Sequence, residues 1–398
     1  MKIALVTFDF SAERYGGVNS VCLKILAALN NTMRCETEII SFANSKRNSN
    51  SVSLCDPKTF RNKRISSEGF FHGTPVTKIG SVGSEMEFMR YRKRRELTKF
   101  FNQFDLIIVV TGILQFANII PKVAVPVFVQ FATRLKWERK SQYSQMPKIK
   151  QFALRTQLPF LAFQELRVIR SRFQLLPENS MMHLWISKRS KREPLIWYPG
   201  LEAPQGYSQR STDNLKKAPF ISVGRFGDRR KGWARLIEAY KVAYKAKGKL
   251  PDLILIGSGE LVDVDKRVLE EIQSQYPIRI YSNLSDAERD SLLCKASIFL
   301  QASFEEGLGI AAIEAISFGL PVLASDTHGA REYVVNGSNG FLVPQGNAFT
   351  LDFAKALLRT YDSNLGEMSQ KSREIFEKKF ERKVSESNLH MILSLPIA

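Results

Sequence analysis

The strongest constraint on the fold of this chain is an alternation of short apolar runs with longer amphipathic segments. The apolar runs are typical of buried strands, and residues 17–30, between the first two runs, carry apolar side chains at helical spacing. The predicted strands are Ile3–Phe8, Thr37–Phe42, Leu106–Thr111, Pro126–Phe131 and Met182–Ser187 in the first half, and Phe220–Val223, Leu253–Ile256, Ile278–Tyr281, Ala296–Leu300 and Pro321–Ala324 in the second. Strands separated by helices predict, in each half, a parallel sheet covered on both faces.

A segment rich in proline and glycine, residues 197–206, interrupts the alternation and is followed by the polar stretch 207–217. We therefore predict an N-terminal domain over residues 1–198, a linker over 199–218 and a C-terminal domain over 219–374. A helix from about residue 375 to 398 is expected to pack back toward the N-terminal domain. Ligands of such sheets bind at the carboxyl ends of the strands, so the expected site is a cleft between the two domains.

The positive charge of the chain is concentrated in its first half. Residues 1–200 contain 32 Lys and Arg against 14 Asp and Glu, whereas the remaining residues contain 26 against 25. The densest run, Arg90–Lys99, includes Arg92, Lys93, Arg94 and Arg95. A field of this kind draws a protein toward an anionic partner such as a lipid surface, a nucleic acid or an acidic glycan.

The remaining composition favours a cytoplasmic protein. No apolar stretch approaches the roughly 20 residues of a membrane-spanning helix, and the first residues are typical of a core strand, without the layout of a signal peptide. The four cysteines lack the spacing of metal ligands, which fits a reducing compartment.

The most informative segment for function is Ser303–Ile316. It follows an apolar strand, turns through Gly307-Leu308-Gly309, and then has the pattern of a helix that begins near Ile310. The start of a helix presents unpaired backbone N–H groups at the positive end of its dipole, which is an anion site. Glu306 lies before the turn, and Glu314 lies within the helix. Their carboxylates can therefore flank the chemical group that is attached to a phosphate bound at the helix start.

Other candidates are individually weaker. Arg225 and Lys231 follow the first strand of the second half and are placed to bind a diphosphate, although loop cations are often only solvated. Gly257, and Gly16-Gly17 before the first helix, are either sites of close ligand approach or ordinary turns. Asp263 and Asp265 resemble a metal pair, but acidic residues are common in a first helical turn, and we favour that structural interpretation.

Taken together, the residues of the second half resemble the retaining glycosyltransferases of family 4, which have the GT-B fold of two Rossmann-like domains. The order and spacing hold over residues 220–345. The matching segments are Gly224-Arg225, Lys231-Gly232, Gly257–Gly259, Leu284–Ala296, Glu306–Glu314, Gly319–Val322 and Asn339–Val343.

The resemblance implies roles for these residues. Arg225 and Lys231 would neutralise the diphosphate of a nucleotide-sugar donor, and the backbone at Leu308, Gly309 and Ile310 would cap the same phosphates. Glu314 would bind the ribose hydroxyls and Glu306 those of the transferred sugar, with Gly17 and Gly257 also near the donor. No metal or other cofactor is expected, because cations and a helix start supply the positive charge.

Fewer residues of the first half match the pattern of the family. Relatives carry a histidine that faces the sugar after an N-terminal strand, and the comparable stretch here, residues 127–134, has none. Gln130 and Arg134 are the two candidates for its place. Leu308 also stands where the family usually has phenylalanine.

The basic half would bind the acceptor in this architecture. We therefore expect a glycan acceptor on a lipid or lipopolysaccharide, reached by peripheral binding to the anionic cytoplasmic face of the membrane. The open alternatives are a soluble or protein acceptor, and a non-catalytic protein of the same fold that binds glycan or nucleic acid. Specific nucleic-acid binding is not expected, since the sequence contains no recognition module.

Overall fold

The computed structural model describes residues 1–10, 17–32, 35–43, 48–62, 64–83, 85–137, 139, 148–204 and 211–395. The chain divides into two compact units, which are described separately. The first comprises Met1–Pro199 with Ser385–Ala398, and the second comprises Gly200–Val384.

Within the described residues, seven strands form the sheet of the first unit in the order β3-β4-β2-β1-β5-β6-β7. All neighbours are parallel except β3 and β4. The chain starts in the middle of the sheet at β1 and later continues on its other side with β5, so the order reverses there. The strands are β1 Lys2–Phe8, β2 Glu36–Phe42, β3 Ile65–Phe71, β4 Thr74–Ile79, β5 Leu106–Ile113, β6 Val127–Thr133 and β7 Gln174–Pro177.

Helices cover this sheet and bury a core rich in phenylalanine, including Phe101, Phe116 and Phe131. The α-helices are Gly17–Thr32, Glu87–Arg90, Thr98–Phe101, Lys148–Arg155, Leu158–Ile169, Ser180–Ser187 and Arg382–Leu393, and the 3-10 turns are Pro57–Arg61, Arg95–Leu97 and Leu114–Ile119. The last α-helix crosses the division at Ser385, whose carbonyl accepts a hydrogen bond from the indole of Trp197 at 3.1 Å.

Two features of the first unit differ from the sequence prediction. The predicted strand Met182–Ser187 is the helix Ser180–Ser187, because the Asn179 side chain accepts from the Met182 N–H at 2.8 Å and caps a helix there. The strand lies earlier, at Gln174–Pro177. The hairpin of β3 and β4 was not predicted, since its exposed residues lack an apolar alternation.

The second unit has a six-stranded parallel sheet over the residues that the structure describes, in the order β10-β9-β8-β11-β12-β13. The strands are β8 Phe220–Arg225, β9 Leu253–Ser258, β10 Ile278–Ser282, β11 Ile298–Gln301, β12 Val322–Ser325 and β13 Gly340–Val343. The α-helices are Thr212–Lys217, Trp233–Lys247, Asp263–Gln273, Asp286–Lys295, Ile310–Ser317, Phe349–Asp362 and Leu365–Lys379, with 3-10 turns at Arg229–Lys231 and Ala330–Glu332. The prediction of two doubly wound α/β sheets is confirmed.

The domain boundaries are shifted from the predicted ones. The helix Thr212–Lys217 lies within the predicted linker but belongs to the second unit, because Leu215 is fully buried in its core and Thr212 donates a hydrogen bond to Asn364 at 2.6 Å. Residues 205–210 of that linker lie outside the described residues. The return to the first unit is at Ser385, ten residues later than predicted, because the helix Leu365–Lys379 buries Met368 in the second core. Over the described ranges, no helix combines the length and apolar character needed to cross a bilayer.

Candidate active site

The candidate site lies in the second unit where the strand order reverses, between β8 and β11. The chain leaves the carboxyl end of β8 through Arg225 and a 3-10 turn, Arg229–Lys231. It leaves the neighbouring end of β11 through Gln301 toward Ser303 and Glu306. A crevice at this point of an open α/β sheet is where such folds bind their ligands.

The carboxylate of Glu306 is the centre of the polar contacts. Its Oε1 accepts from Lys231 Nζ at 2.5 Å, from Ser303 Oγ at 2.7 Å and from Gln301 Nε2 at 3.3 Å. The Glu306 side chain is 11% exposed and that of Lys231 is 20% exposed, so the ion pair is only partly screened by water. The structure therefore pairs two residues to which the sequence assigned separate tasks.

Tyr333 fixes the orientation of Gln301. Its hydroxyl donates to Gln301 Oε1 at 2.7 Å, which leaves the amide nitrogen to face Glu306. Burial, and then the charge of Glu306, raises the pKa of Tyr333 well above its usual range. The phenol therefore stays protonated and remains a donor.

Asp228 holds the two arginines of the β8 loop. Its Oδ2 accepts from Arg225 Nη2 at 2.7 Å and from Arg230 Nη2 at 2.8 Å, and its Oδ1 accepts from the Arg230 N–H at 3.1 Å. Burial opposes the ionisation of Asp228, but the contacts with Arg230 and the charges of Arg225 and Lys231 outweigh it and hold its pKa at about 2. The side chain of Arg225 is 51% exposed, and its guanidinium is held in position by the ionised carboxylate of Asp228.

The predicted anion site is a formed helix start. Gly309 caps the helix Ile310–Ser317 with φ of +90°, and its carbonyl accepts from Ala312 at 2.9 Å. The N–H groups ahead of Ala312 lie in the first turn, where a helix offers them no internal acceptor. A Cβ on Gly309 would lie 2.5 Å from the Tyr333 hydroxyl, so only glycine fits there.

Leu308 and Glu314 are positioned by neighbouring elements. Leu308 is buried, and its backbone packs so closely under Gly329 that a Cβ on Gly329 would lie 2.5 Å from the Leu308 carbonyl. Gly329 also donates its N–H to the Glu306 carbonyl at 3.0 Å. Glu314 lies in the second turn of the helix, close enough to Arg289 for its charge to raise the pKa of that guanidinium against the effect of burial.

Arg235 supports the loop that carries Ser303 and Glu306. Its Nε donates to the Ala302 carbonyl at 2.6 Å and its Nη1 to Gln345 Oε1 at 2.9 Å, while Gln345 Nε2 donates to the Ser303 carbonyl at 3.0 Å. Its guanidinium carbon lies 3.7 Å from the ring centroid of Phe304. Burial lowers the pKa of Arg235 to about 9.

Two other candidates of the second unit have structural tasks. A Cβ on Gly257 would lie 2.6 Å from the Gly224 carbonyl, so this glycine allows β9 to pack against β8. Asp265 accepts from the Ala234 N–H at 2.9 Å and thereby caps the helix Trp233–Lys247. This contact supports the structural interpretation of Asp265 over a metal pair with Asp263.

The candidates of the first unit are described apart from this site. Gly17 begins the helix after β1, and a Cβ there would meet open space, whereas Gly16 lies outside the described residues. The side-chain amide of Gln130 donates to the buried Glu178. Arg134 forms a two-bond ion pair with Glu165, at 3.2 and 2.7 Å. Both candidates for the missing histidine therefore have partners within the first unit.

The basic run of the first unit is not uniformly at the surface. Arg94 is 3% exposed, donates to the Gly80 carbonyl at 3.0 Å and pairs with Glu96. The expectation that Arg94 faces an acceptor or a membrane is therefore wrong, because its guanidinium is used inside the fold. Arg92 and Arg95 are exposed, and Lys93 is half-buried.

Sequence reasoning missed Asp228, Arg235, Gln301, Tyr333 and Gln345. The signal for Asp228 was available, because an aspartate before three basic residues caps a turn and pairs with them. Tyr333 and Gln345 lie at least 27 residues from Glu306 along the chain, and only the folded sheet brings them to it.

Comparison with known proteins identifies the second unit. Residues 206–379 match the family model described as Glycosyl transferases group 1. The GtfA subunit of the UDP-N-acetylglucosamine–peptide N-acetylglucosaminyltransferase of Streptococcus pneumoniae is 26% identical over 204 residues, which cover 49% of this chain and 37% of that protein. The phosphatidyl-myo-inositol mannosyltransferase of Mycobacterium leprae is 28% identical over 177 residues, covering 40% of this chain and 44% of that protein. Each match thus spans less than half of the relative.

The fold extends over almost the whole chain. The crystal structure of WaaG, a glycosyltransferase involved in lipopolysaccharide biosynthesis, superposes with a TM-score of 0.65 at 16% identity and covers 98% of this chain and 100% of WaaG. This likeness shows that both units together have the GT-B fold.

Proposed function

Because residues 206–379 match the family model of the glycosyl transferases group 1, we propose that the chain is a glycosyltransferase. It moves a sugar from a nucleotide-diphosphate sugar to a glycan acceptor with retention of configuration. The observation that carries the proposal is the Glu306–Lys231 pair, held by Ser303 and Gln301 beside the helix start at Gly309. A carboxylate, a cation and the backbone N–H groups of a helix start thus lie together where the loops after β8 and β11 meet.

In the donor complex, the diphosphate binds Arg225, Lys231 and the first N–H groups of the helix Ile310–Ser317. Lys231 then passes from Glu306 to the phosphate, and Arg225 shares its guanidinium between the phosphate and Asp228. The carboxylate of Glu306, relieved of its cation, accepts hydrogen bonds from hydroxyls of the sugar, and Glu314 accepts those of the ribose. These cations also stabilise the charge that develops on the leaving diphosphate.

The transfer proceeds without a metal or other cofactor in this proposal, because the cations and the helix start supply the positive charge near the phosphates. The acceptor hydroxyl attacks the same face that the diphosphate leaves. The bond between the anomeric carbon and the phosphate oxygen breaks as the glycosidic bond to the acceptor oxygen forms. The proton of the acceptor hydroxyl passes to the leaving phosphate oxygen, which gives the nucleoside diphosphate.

The proposed acceptor is a lipid-linked or lipopolysaccharide-type glycan at the cytoplasmic membrane face. Residues 1–200 contain 32 basic and 14 acidic residues, and this excess of positive charge supports an anionic surface as the partner. The M. leprae relative is by name a phosphatidyl-myo-inositol mannosyltransferase. A soluble or protein acceptor is the second candidate, because the S. pneumoniae relative is by name a peptide N-acetylglucosaminyltransferase subunit. A non-catalytic protein of the same fold that binds glycan or nucleic acid is not favoured, because the acidic and basic residues of the candidate site are present and held in one hydrogen-bond network.

The test compares wild type with Glu306→Gln in donor hydrolysis and in transfer to membrane glycolipid extracts. We expect turnover to fall by at least about 100-fold, as for removal of a preorganised polar group at a transition state. The matched control is Glu238→Gln, which makes the same chemical change in a surface ion pair with Lys241. Equal turnover of Glu306→Gln and wild type would show that the assigned site is wrong.

A further inference from the structure

Two consecutive helices of the first unit, Lys148–Arg155 and Leu158–Ile169, direct large apolar side chains to solvent. Ile149 is 86% exposed and Phe152 is 71% exposed, three residues apart on the first helix. Phe160 is 55% exposed and Phe163 is 64% exposed on the second. Residues three apart lie on one face of a helix, so each helix presents an apolar face, and Leu166 extends the second one.

The second helix packs Leu161, Val168 and Ile169 into the hydrophobic core of the first unit. Its inward face contains Glu165, which pairs with Arg134, and Gln164, which donates to the Phe88 carbonyl at 2.7 Å. A helix that faces only water normally has its charged residues outside and its aromatic residues inside. The outer face departs from this pattern, since Phe160, Phe163 and Leu166 are exposed there. An exposed apolar face of this kind indicates a non-aqueous partner.

Cations lie beside this face. Burial and then the positive charges of Arg167, Arg95 and Lys122 lower the pKa of Lys93, so the field of these cations reaches it. Arg167 directly follows Leu166 on the second helix, and Arg155 and Arg170 are exposed on or beside the two helices. Mutual repulsion in such a cluster is relieved by an anionic surface.

We propose that this face docks on an anionic lipid bilayer. Ile149, Phe152, Phe160, Phe163 and Leu166 enter the boundary between headgroups and acyl chains, and Lys93, Arg95, Lys122 and Arg167 contact the lipid phosphates. This docking identifies the membrane as a partner in the proposed function. It rests on that function only in one respect, namely that a lipid-linked acceptor explains why the protein would bind a membrane. The docking residues are distinct from those assigned to the donor.

The composition favours lipid over a protein partner. The centre of a protein interface is enriched in aromatic residues and arginine but depleted in lysine, so the lysines beside this face are what distinguish the two. Here the exposed apolar residues are phenylalanine, isoleucine and leucine, with lysine and arginine next to them. This pairing is typical of helices that lie in the plane of an anionic membrane surface.

Flotation of the full chain with vesicles tests the proposal. One set is phosphatidylcholine alone, and in the other phosphatidylglycerol replaces about a third of the lipid. We expect wild type to float with the anionic vesicles and Phe152→Ser/Phe163→Ser to lose at least about tenfold in partitioning. The matched control is Phe70→Ser, because Phe70 is 77% exposed on β3, away from these helices in the sequence. Arg167→Gln should weaken binding to the anionic vesicles.

A direct readout does not depend on loss of binding. Phe163→Trp should show a blue-shifted and enhanced emission on anionic vesicles, and Phe70→Trp should not change. Equal flotation of Phe152→Ser/Phe163→Ser and wild type, or an unchanged Phe163→Trp spectrum, would overturn the proposal. Self-association without lipid that Phe152→Ser/Phe163→Ser abolishes would assign the face to a second copy of the chain and also overturn it.

Donor hydrolysis in solution separates this proposal from the proposed function. If Phe152→Ser/Phe163→Ser keeps hydrolysis and loses flotation, both proposals stand. If Glu306→Gln keeps hydrolysis while flotation behaves as expected, only the assigned donor site fails.

Discussion

At the scale of single residues, the contact between Glu306 and Lys231 stabilises the nearly buried carboxylate of the site. A carboxylate that is only 11% exposed needs a counter-charge, and Lys231 supplies it at 2.5 Å. Ser303 and Gln301 hold the same oxygen, so the carboxylate stays in place in the proposed donor complex, where Lys231 binds a phosphate. In the proposed function, the donor sugar therefore meets a carboxylate that is already in position.

Gly309→Ala should weaken nucleotide binding by at least about tenfold and lower the free energy of unfolding by about 1–3 kcal/mol. The reason is that the φ of +90° disfavours any side chain and that the new Cβ would lie 2.5 Å from the Tyr333 hydroxyl. Calorimetric titration with nucleoside diphosphate and chemical denaturation are the measurements. Gly346→Ala is the control, since a Cβ there meets open space. Wild-type affinity of Gly309→Ala would contradict the helix-start site.

Glu178 should make stability depend on pH. Burial raises its pKa to about 7, against the hydrogen bond from Gln130, whereas in the unfolded chain the carboxyl has its ordinary pKa of 4.5. The folded state therefore binds the proton more tightly, and its contribution to stability is full below about pH 4.5 and is lost as the pH rises through about 7. Denaturation of Glu178→Gln across this range should show a flatter dependence than wild type. Parallel curves would refute a protonated Glu178.

At the scale of elements, the helices around the site are fixed by side chains from elsewhere in the chain. Asp265, from the helix Asp263–Gln273, caps the helix Trp233–Lys247. Arg235, from that second helix, holds the Ala302 carbonyl at the end of β11. The Glu306 loop is thus connected to the rest of the second unit through two helices, in addition to the contacts made by its own residues.

Asp265→Ala should lower the free energy of unfolding by about 1 kcal/mol, the usual cost of losing a helix cap. Asp265→Asn should be close to wild type, because the amide oxygen still accepts from Ala234. Donor hydrolysis of Asp265→Ala, measured with and without a chelator, should equal that of wild type. A loss of hydrolysis in Asp265→Asn that added divalent metal restores would instead support the metal pair.

At the scale of the whole molecule, the two units repeat one sheet plan and differ in charge. In each, the chain starts in the middle of the sheet and later continues on the other side of its first strand. Each unit has its own hydrophobic core. The proposed donor site belongs to the second unit, and the basic excess and the aromatic helices belong to the first.

A nucleoside diphosphate should stabilise the second unit selectively. At about 100 times its Kd, a ligand that binds only the folded state adds about 2.7 kcal/mol. Calorimetric scans with UDP, GDP and ADP should show one nucleotide that raises the transition of the second unit. The same scans of Lys231→Met should show a much smaller rise. Equal effects of all three nucleotides, or none, would contradict a specific donor site.

The sequence by itself determined the fold class, most strands and the candidate residues around the helix start at Gly309. Alternation of buried strands with helices is a local pattern, and Glu306, Gly309 and Ile310 lie within five consecutive residues. It failed at Met182–Ser187, because a short apolar run has no period and the cap at Asn179 decided for a helix. Tertiary structure alone paired Lys231 with Glu306, buried Arg94 and exposed Phe152 and Phe163. Burial and long-range contacts depend on which elements pack together, and no local spacing encodes that.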